Sequence, residues 1–166
     1  MKSVLVIRHA KSSWSDPGQP DFDRPLNERG KLDAPDMAKR LLDKSITIDA
    51  FISSPAKRAR KTASLFAAAY KHDKENLILV PELYQAAPHN LFDAIAKAPP
   101  AAETIAVFSH NPGITEFVNM LTEVRIDDMP TCAIYGVKAP IKSWAEFKEA
   151  TKSFWFFDYP KSMSTL

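Results

Sequence analysis

The sequence predicts an α/β sandwich built on a largely parallel sheet. Apolar runs of strand length alternate along the chain with segments of helical periodicity. Three of those runs end in polar groups followed at once by helix-start chemistry. The length of 166 residues, with 45% hydrophobic and 25% charged residues, suits a single domain over 1–166 with a sizeable core. Parallel neighbours in such a sheet are joined by right-handed crossovers.

The elements follow in order. Val4-Leu5-Val6-Ile7 is a continuous apolar run, the pattern of a strand buried on both faces. A polar loop over 11–24 comes next, with turn chemistry at Asp16-Pro17-Gly18. Residues 27–43 turn helical and place Leu32, Met37, Leu41 and Leu42 on one face. A proline inside a helix costs about 3 kcal/mol, so the main helix is expected to start late. Asp33 would cap it, with Pro35 in the first turn and 27–31 a short preceding turn. Residues 49–53 form the second strand, carrying Phe51 and Ile52. Ser54-Pro55 reads as cap and first helical position of a helix to about Tyr70, with Ala59, Ala63, Phe66 and Tyr70 inward. A third strand is expected at 77–80, a short helix at 89–97 and a fourth strand at 104–109. Asn111-Pro112 repeats the cap-then-proline signal and opens a helix to about Leu121. Residues 131–138 and 151–159 read as two late strands, joined over 139–150 by a loop with a helical turn.

Composition excludes some functions. A net charge of +2 makes no case for nucleic acid. The apolar run behind Lys2 is too short for a signal-peptide core or a membrane span, so a cytoplasmic protein with no membrane partner is expected. Cys132 is the sole cysteine; it lies in an apolar run and reads as a buried small hydrophobe.

The chemistry lies at the three strand ends. The first ends Ile7-Arg8-His9. The second ends Ile52-Ser53-Ser54-Pro55, with Arg58 one turn into the helix, and the fourth ends Phe108-Ser109-His110-Asn111-Pro112. Open α/β sheets bind ligands outside the carboxyl ends of their strands. With these strands side by side, His9, Arg8, Arg58 and His110 converge. Two imidazoles and two guanidiniums make an anion site, and arginine forks match phosphate oxygens. The carboxylates are scattered and both histidines come with arginines, so neither a catalytic metal nor another cofactor is expected. A neutral His9 would attack phosphorus, while Arg8, Arg58 and a protonated His110 balance the charge; water would then hydrolyse the phosphohistidine formed. Lys11 and Asn111 are further candidates for substrate binding, Asn111 also as a cap. Ser53 and Ser109 read as caps, His72 as surface, and His89 as a rim residue without a catalytic role. Trp14, Phe22, Trp144 and Trp155 read as packing or loop anchors, with Trp14 best placed to touch substrate. Lys57, Arg60 and Lys61 read as solvated charge.

At these residues the chain resembles a known family. Arg8-His9-Ala10 is similar to the Arg-His-Gly signature of the histidine phosphatase superfamily. Ser53-Ser54-Pro55 with Arg58-Ala59 and Thr62-Ala63 resembles its second motif, and Ser109-His110-Asn111-Pro112-Gly113 its third. Arg24-Pro25-Leu26 with Gly30, and Phe157-Asp158-Tyr159-Pro160-Lys161, resemble its SixA branch. The resemblance implies a phosphoglycerate-mutase-like three-layer α/β/α sandwich with a mixed, mostly parallel six-stranded sheet and one antiparallel strand. It implies His9 as phospho-acceptor, with Arg8, Arg58 and His110 completing the phosphate pocket.

Two positions depart from the pattern. Ala10 replaces a glycine, which should call for only modest adjustment. Gln85, in Pro81-Glu82-Leu83-Tyr84-Gln85, stands where ester-cleaving members of the superfamily carry a general-acid glutamate. Alkoxide leaving groups need a proton, whereas imidazole, which titrates near 6.5, departs with little help. The missing acid therefore fits phosphohistidine on a signalling or phosphorelay protein. A small phosphorylated metabolite, or a regulatory module that binds phosphate without turnover, are the alternatives. A short segment between Glu82 and the fourth strand implies an open pocket.

Overall fold

The computed structural model describes residues 1–161; the last five residues of the expected domain, 162–166, lie outside the described residues. Six strands form one sheet: β1 (Lys2–Arg8), β2 (Ala50–Ser53), β3 (Ile78–Leu79), β4 (Thr104–Ser109), β5 (Ile134–Ala139) and β6 (Ser153–Asp158). Their order is β3-β2-β4-β1-β5-β6. Pairs β3/β2, β2/β4 and β4/β1 are parallel, while β5 runs antiparallel to both β1 and β6. The mixed sheet with one reversed strand is thus as expected.

Four helices cover it: α1 (Glu28–Asp43), α2 (Lys57–Ala69), α3 (Pro88–Ala96) and α4 (Gly113–Val118). Successive strand side chains point to opposite faces, and the apolar runs feed two cores. Leu5, Ile7, Phe51, Ala106 and Phe108 pack with Ala34, Met37, Ala38 and Leu41 of α1 and Ala63 and Phe66 of α2. Val4, Val6, Ile52, Ile105 and Val107 pack with Leu91 and Ile95 of α3 and Ile114 and Phe117 of α4. Three layers result because the inner strands are apolar on both sides.

Several element readings need correction. The helix α1 begins at Glu28, with the Asn27 side chain accepting from Gly30 N at 2.8 Å. Asp33 is not a cap but an interior residue, buried and bonded to Arg29 at 2.7 Å. Pro35 stands inside α1 on its exposed face, where water can serve a carbonyl left without its helical partner. Leu32 and Leu42 are 60% and 41% exposed; the buried face runs instead through Ala34, Met37, Ala38 and Leu41. The helix α2 starts at Lys57, three residues after Ser54, whose Oγ accepts from Ala56 N rather than capping the main helix. The fourth helix ends at Val118, short of Leu121. His72 is half-buried against Phe51, at 4.9 Å between rings, not a surface residue.

Two glycines set close approaches. A Cβ at Gly30 would collide with the Lys11 carbonyl, and one at Gly113 with the Ala86 carbonyl. Their absence lets α1 press on the segment after His9, and α4 on the loop that carries Tyr84 and Gln85.

Candidate active site

The register of the inner strands assembles the site. Arg8 pairs with Ser109, and Ser53 with Phe108. His9 N then donates to Ser109 O at 3.2 Å and Ser54 N to Phe108 O at 3.0 Å. His9, Ser54 and His110 therefore emerge at one edge, and Arg58 enters from the first turn of α2. A cavity of about 780 Å³ opens there, lined by Arg8, His9, Arg58 and His110, with Lys11 and Trp14 at its side. The four residues singled out in the sequence meet as expected.

His9 is buried, and its tautomer follows from its neighbour. Nδ1 lies 2.7 Å from Ala10 O, which can only accept, so Nδ1 carries the hydrogen. The lone pair is then on Nε2, 3.4 Å from Arg58 Nε. Burial first, then His110, holds the His9 pKa well below its usual range, so the ring is neutral near pH 7. A neutral imidazole whose Nε2 lone pair is held only by this long contact from Arg58 is a nucleophile. Ala10 lies outside the left-handed region, is fully buried, and donates to Thr62 Oγ1 at 3.0 Å. Thr62 in turn donates to Arg58 O at 2.8 Å, which ties α2 to the end of β1.

Arg8 donates from Nη1 to Met129 O at 2.8 Å, while its Nε is buried without a partner in the described chain. Asn111 is committed elsewhere. Its Nδ2 donates to Asp128 at 2.8 Å and Met129 O at 3.2 Å, and its Oδ1 accepts from Thr115 at 2.6 Å. It lines the cavity, yet its side chain fixes the segment that supports Arg8. This corrects its reading as a backbone cap. Lys11 is exposed on the cavity wall.

His110 sits 5.1 Å from His9, ring to ring, with Nε2 2.8 Å from Ser54 Oγ. Its Nδ1 is buried without a partner in the described chain. Burial, then Arg58, pushes its pKa down to about 3. Beside two arginines and out of water, His110 is held neutral in the free site, so the protonated form expected from the sequence is disfavoured there. Ser53 and Ser109 are not caps either. Ser109 Oγ donates to Leu83 O and Ser53 Oγ to Ser54 O, both at 2.8 Å.

Three residues of the site were absent from the sequence-derived set. Asp21 accepts from Arg58 Nη2 at 3.0 Å through its carboxylate and from Arg58 Nη1 at 2.7 Å through its backbone carbonyl. Tyr84 donates its hydroxyl to the same carboxylate at 2.7 Å, and Arg24 pairs with it at 3.2 Å. The Tyr84 bond, then Arg58, holds the Asp21 pKa down at about 2. Arg24 also donates to Ser12, and Trp14, 76% exposed, lies flat on its guanidinium at 3.7 Å. Trp14 is therefore a loop anchor at the cavity wall. The signal for Asp21 was its place beside Arg24-Pro25 in the loop next to His9, but nothing in the local pattern tells which way such a loop folds. Cys132 is fully buried, and burial pushes its thiol up.

A cationic pocket at the carboxyl edge of this sheet, with a neutral histidine at its base, defines a phosphate-handling α/β protein of phosphoglycerate-mutase-like fold. The profile of the Histidine phosphatase superfamily (branch 1) matches residues 4–86, and the chain belongs to that superfamily. Membership supports phosphatase activity. An uncharacterised chloroplastic protein of Arabidopsis thaliana is 32% identical over 154 residues, covering 87% of this chain and 70% of that protein. The mitochondrial serine/threonine-protein phosphatase Pgam5 of Drosophila ananassae is 31% identical over 87 residues, 52% of this chain but only 29% of its own length. Among solved structures, one assigned as the phosphohistidine phosphatase SixA of Agrobacterium tumefaciens superposes with a TM-score of 0.79 at 24% identity, covering 96% of this chain and 98% of that one. The protein histidine phosphatase SixA complexed with tungstate gives 0.79 at 21% identity, over 95% and 97%. The fold is that of the SixA structures. No helix among the described residues is long and apolar enough to cross a membrane.

Proposed function

We propose that this chain removes the phosphoryl group from phosphohistidine on a protein, through a covalent phosphohistidine at His9. One observation carries the choice of substrate: among the described residues, no protonated carboxyl group lines the cavity to serve an alkoxide. Gln85 is on the wall where the acid of ester-cleaving relatives is expected. Among the described residues Asp21 is the one carboxylate lining the cavity, and it is held ionised by Tyr84 and Arg58. Tyr84 itself is shifted upward, away from releasing its proton, by burial and by Asp21.

The tautomer of His9 makes both half-reactions possible without such a donor. Substrate phosphohistidine, protonated from solvent on its distal nitrogen, presents its phosphoryl group to Arg8 and Arg58. His9 Nε2 forms a bond to phosphorus as the substrate N–P bond breaks, and the substrate ring leaves as neutral imidazole. The phosphorylated ring of His9 keeps its hydrogen on Nδ1, held by Ala10 O. Water then attacks phosphorus, the Nε2–P bond breaks, and His9 returns neutral with the same hydrogen in place. The proton lost by water goes to solvent. The arginines hold the equatorial oxygens throughout. The buried Nε of Arg8 is a donor whose desolvation the described residues leave uncompensated, which favours an anion there.

The test compares kcat/KM for a phosphohistidine protein with that for simple alkyl phosphates. General-acid catalysis contributes about 10²–10⁴-fold, so phosphohistidine should lead by at least that lower figure. His9→Ala should abolish turnover and the acid-labile, alkali-stable phosphoenzyme trapped by quenching. Alkyl phosphates turned over faster than phosphohistidine would overturn the assignment.

A further inference from the structure

A second concave surface, of about 670 Å³, lies on the outer side of the same elements. Five cations line it: Lys31 of α1, Lys57, Arg60 and Lys61 of α2, and Lys74. Glu75 is the single acid among the lining residues. Among the described residues, Lys57, Arg60, Lys61 and Lys74 form no ion pair, and Lys31 shares only an exposed contact with Glu28 at 3.3 Å. The chain as a whole carries only +2, so this is local concentration rather than a basic protein.

The placement runs against helix electrostatics. The amino end of a helix favours acidic side chains. The first turn of α2 has none and presents Lys57, Arg58 and Arg60 instead, with Lys61 following at once. Arg58 is explained by the catalytic cavity; the other three face away from it. A docked anion offsets both the dipole and the mutual repulsion of these cations.

The groove is anchored on the same backbone segments as the active site. Arg24 lines the catalytic cavity and Pro25 the groove; Arg58 lines the cavity and Lys57 the groove. One peptide bond separates the lining residues in each case. Leu26 and Leu77 add apolar contact, and no aromatic side chain lines the groove. Single-stranded nucleic acid is gripped by aromatic stacking platforms, which this surface lacks. Mixed aliphatic and cationic character suits an acidic protein segment.

We propose that this groove docks an acidic segment of the phosphoprotein whose phosphohistidine enters the catalytic cavity. The proposal rests on the phosphoprotein reading above and adds the chemistry of the partner. Charge-reversed Arg60→Glu/Lys61→Glu and single Lys74→Glu variants test it, since none of these residues touches the catalytic cavity. The probes are a phosphohistidine peptide flanked by Asp and Glu, its Asn- and Gln-flanked counterpart, and p-nitrophenyl phosphate. Reversal should raise KM for the acidic peptide by about 10-fold and erase its lead over the neutral one. Turnover of p-nitrophenyl phosphate should stay unchanged, and added salt should reproduce the loss in the intact enzyme. Equal effects on both peptides, or none, overturn the proposal. Should the intact enzyme hydrolyse p-nitrophenyl phosphate but neither peptide, the phosphohistidine reading fails separately. The groove is then judged by anisotropy with the unphosphorylated acidic peptide: binding lost on reversal supports it, and no binding overturns it. Tighter binding of single-stranded RNA or of phosphatidylserine vesicles than of the acidic peptide also overturns it.

Discussion

Asp21 grips Arg58 twice, its backbone carbonyl accepting from Nη1 at 2.7 Å and its carboxylate from Nη2 at 3.0 Å. The contact spans the loop after β1 and the first turn of α2. It fixes the guanidinium plane with Nε toward His9, and it sets one negative charge against the cations that receive phosphate. Asp21→Asn keeps the carbonyl contact and an acceptor for Tyr84 while removing the charge. Exposed ion pairs are worth about 0.2–1 kcal/mol, and the Asp21 side chain is 48% exposed. Orthophosphate should therefore bind the variant more tightly, by up to about five-fold, read as its competitive inhibition constant against p-nitrophenyl phosphate. Weaker inhibition would mean that holding Arg58 matters more than the opposing charge.

The pH–rate profile follows from the state of His9. Its pKa lies well below 6.5 because burial and the neighbouring His110 and arginines disfavour the imidazolium. The nucleophile is therefore already deprotonated at pH 6.5. For the free enzyme, kcat/KM toward p-nitrophenyl phosphate should stay flat as pH falls through 6.5 and decline only in more acidic solution. An acidic limb centred at or above 6.5, with a stable substrate of fixed charge, would contradict this picture.

The fold and the core of the site were legible because both depend on local pattern. Continuous apolar runs at 4–7 and 104–109 announced strands with two buried faces, and their polar ends located His9 and His110. Arg58 was legible through its spacing from Ser54-Pro55. The remainder depends on how distant segments close. Asn111 looked like a cap, yet its carboxamide joins Asp128 and Met129 across the chain. Asp21 reaches Arg58 and Tyr84 only after the 11–24 loop folds over, pinned by Ser13 N on Pro25 O at 2.8 Å and Asn27 N on Lys11 O at 3.0 Å. The start of α1 is not legible from Pro35, because the cost of an interior proline depends on whether it faces water, as it does here.

The same depressed histidines make the folded state sensitive to acid. His110 titrates near 3 when folded and near 6.5 when unfolded. Its contribution to stability is present above pH 6.5 and is lost as pH falls from there toward 3, because the unfolded chain takes up the proton first. His9 has the same sign. His110→Gln removes one of the two titrations. Its stability should fall less steeply over that window, by up to about 1.4 kcal/mol per pH unit, measured by urea unfolding at several pH values. Identical slopes would show that His110 does not report its burial in this way.

Gly113 couples packing to the site. A Cβ there would meet the Ala86 carbonyl, one residue from Gln85 and two from Tyr84. Gly113→Ala should force that loop outward and cost about 1–3 kcal/mol, as overpacking usually does. Moving Tyr84 would also loosen Asp21, so activity should fall by more than the unfolded fraction explains. Thermal unfolding together with kcat corrected for folded protein separates the two effects.

The last expectation concerns the acid that is missing. Gln85 lines the cavity in the left-handed region, with φ of 57°, so its backbone is already turned for a side chain at that wall. Gln85→Glu changes one terminal group and adds no bulk. In a cavity also lined by Arg8, Arg58 and Arg24 the new carboxyl would tend to ionise, which limits its value as a donor in the free enzyme. Bound phosphoryl dianion reverses that field and favours the protonated form. Alkyl phosphate hydrolysis should then rise relative to phosphohistidine hydrolysis by about 10-fold or more, at the low end because general acids contribute about 10²–10⁴ when ideally placed. Phosphohistidine turnover itself should change little, since its leaving imidazole already carries the proton it needs. A variant that gains nothing on alkyl phosphates, while folding normally and keeping its phosphohistidine activity, would show that the wall at position 85 does not face the leaving group.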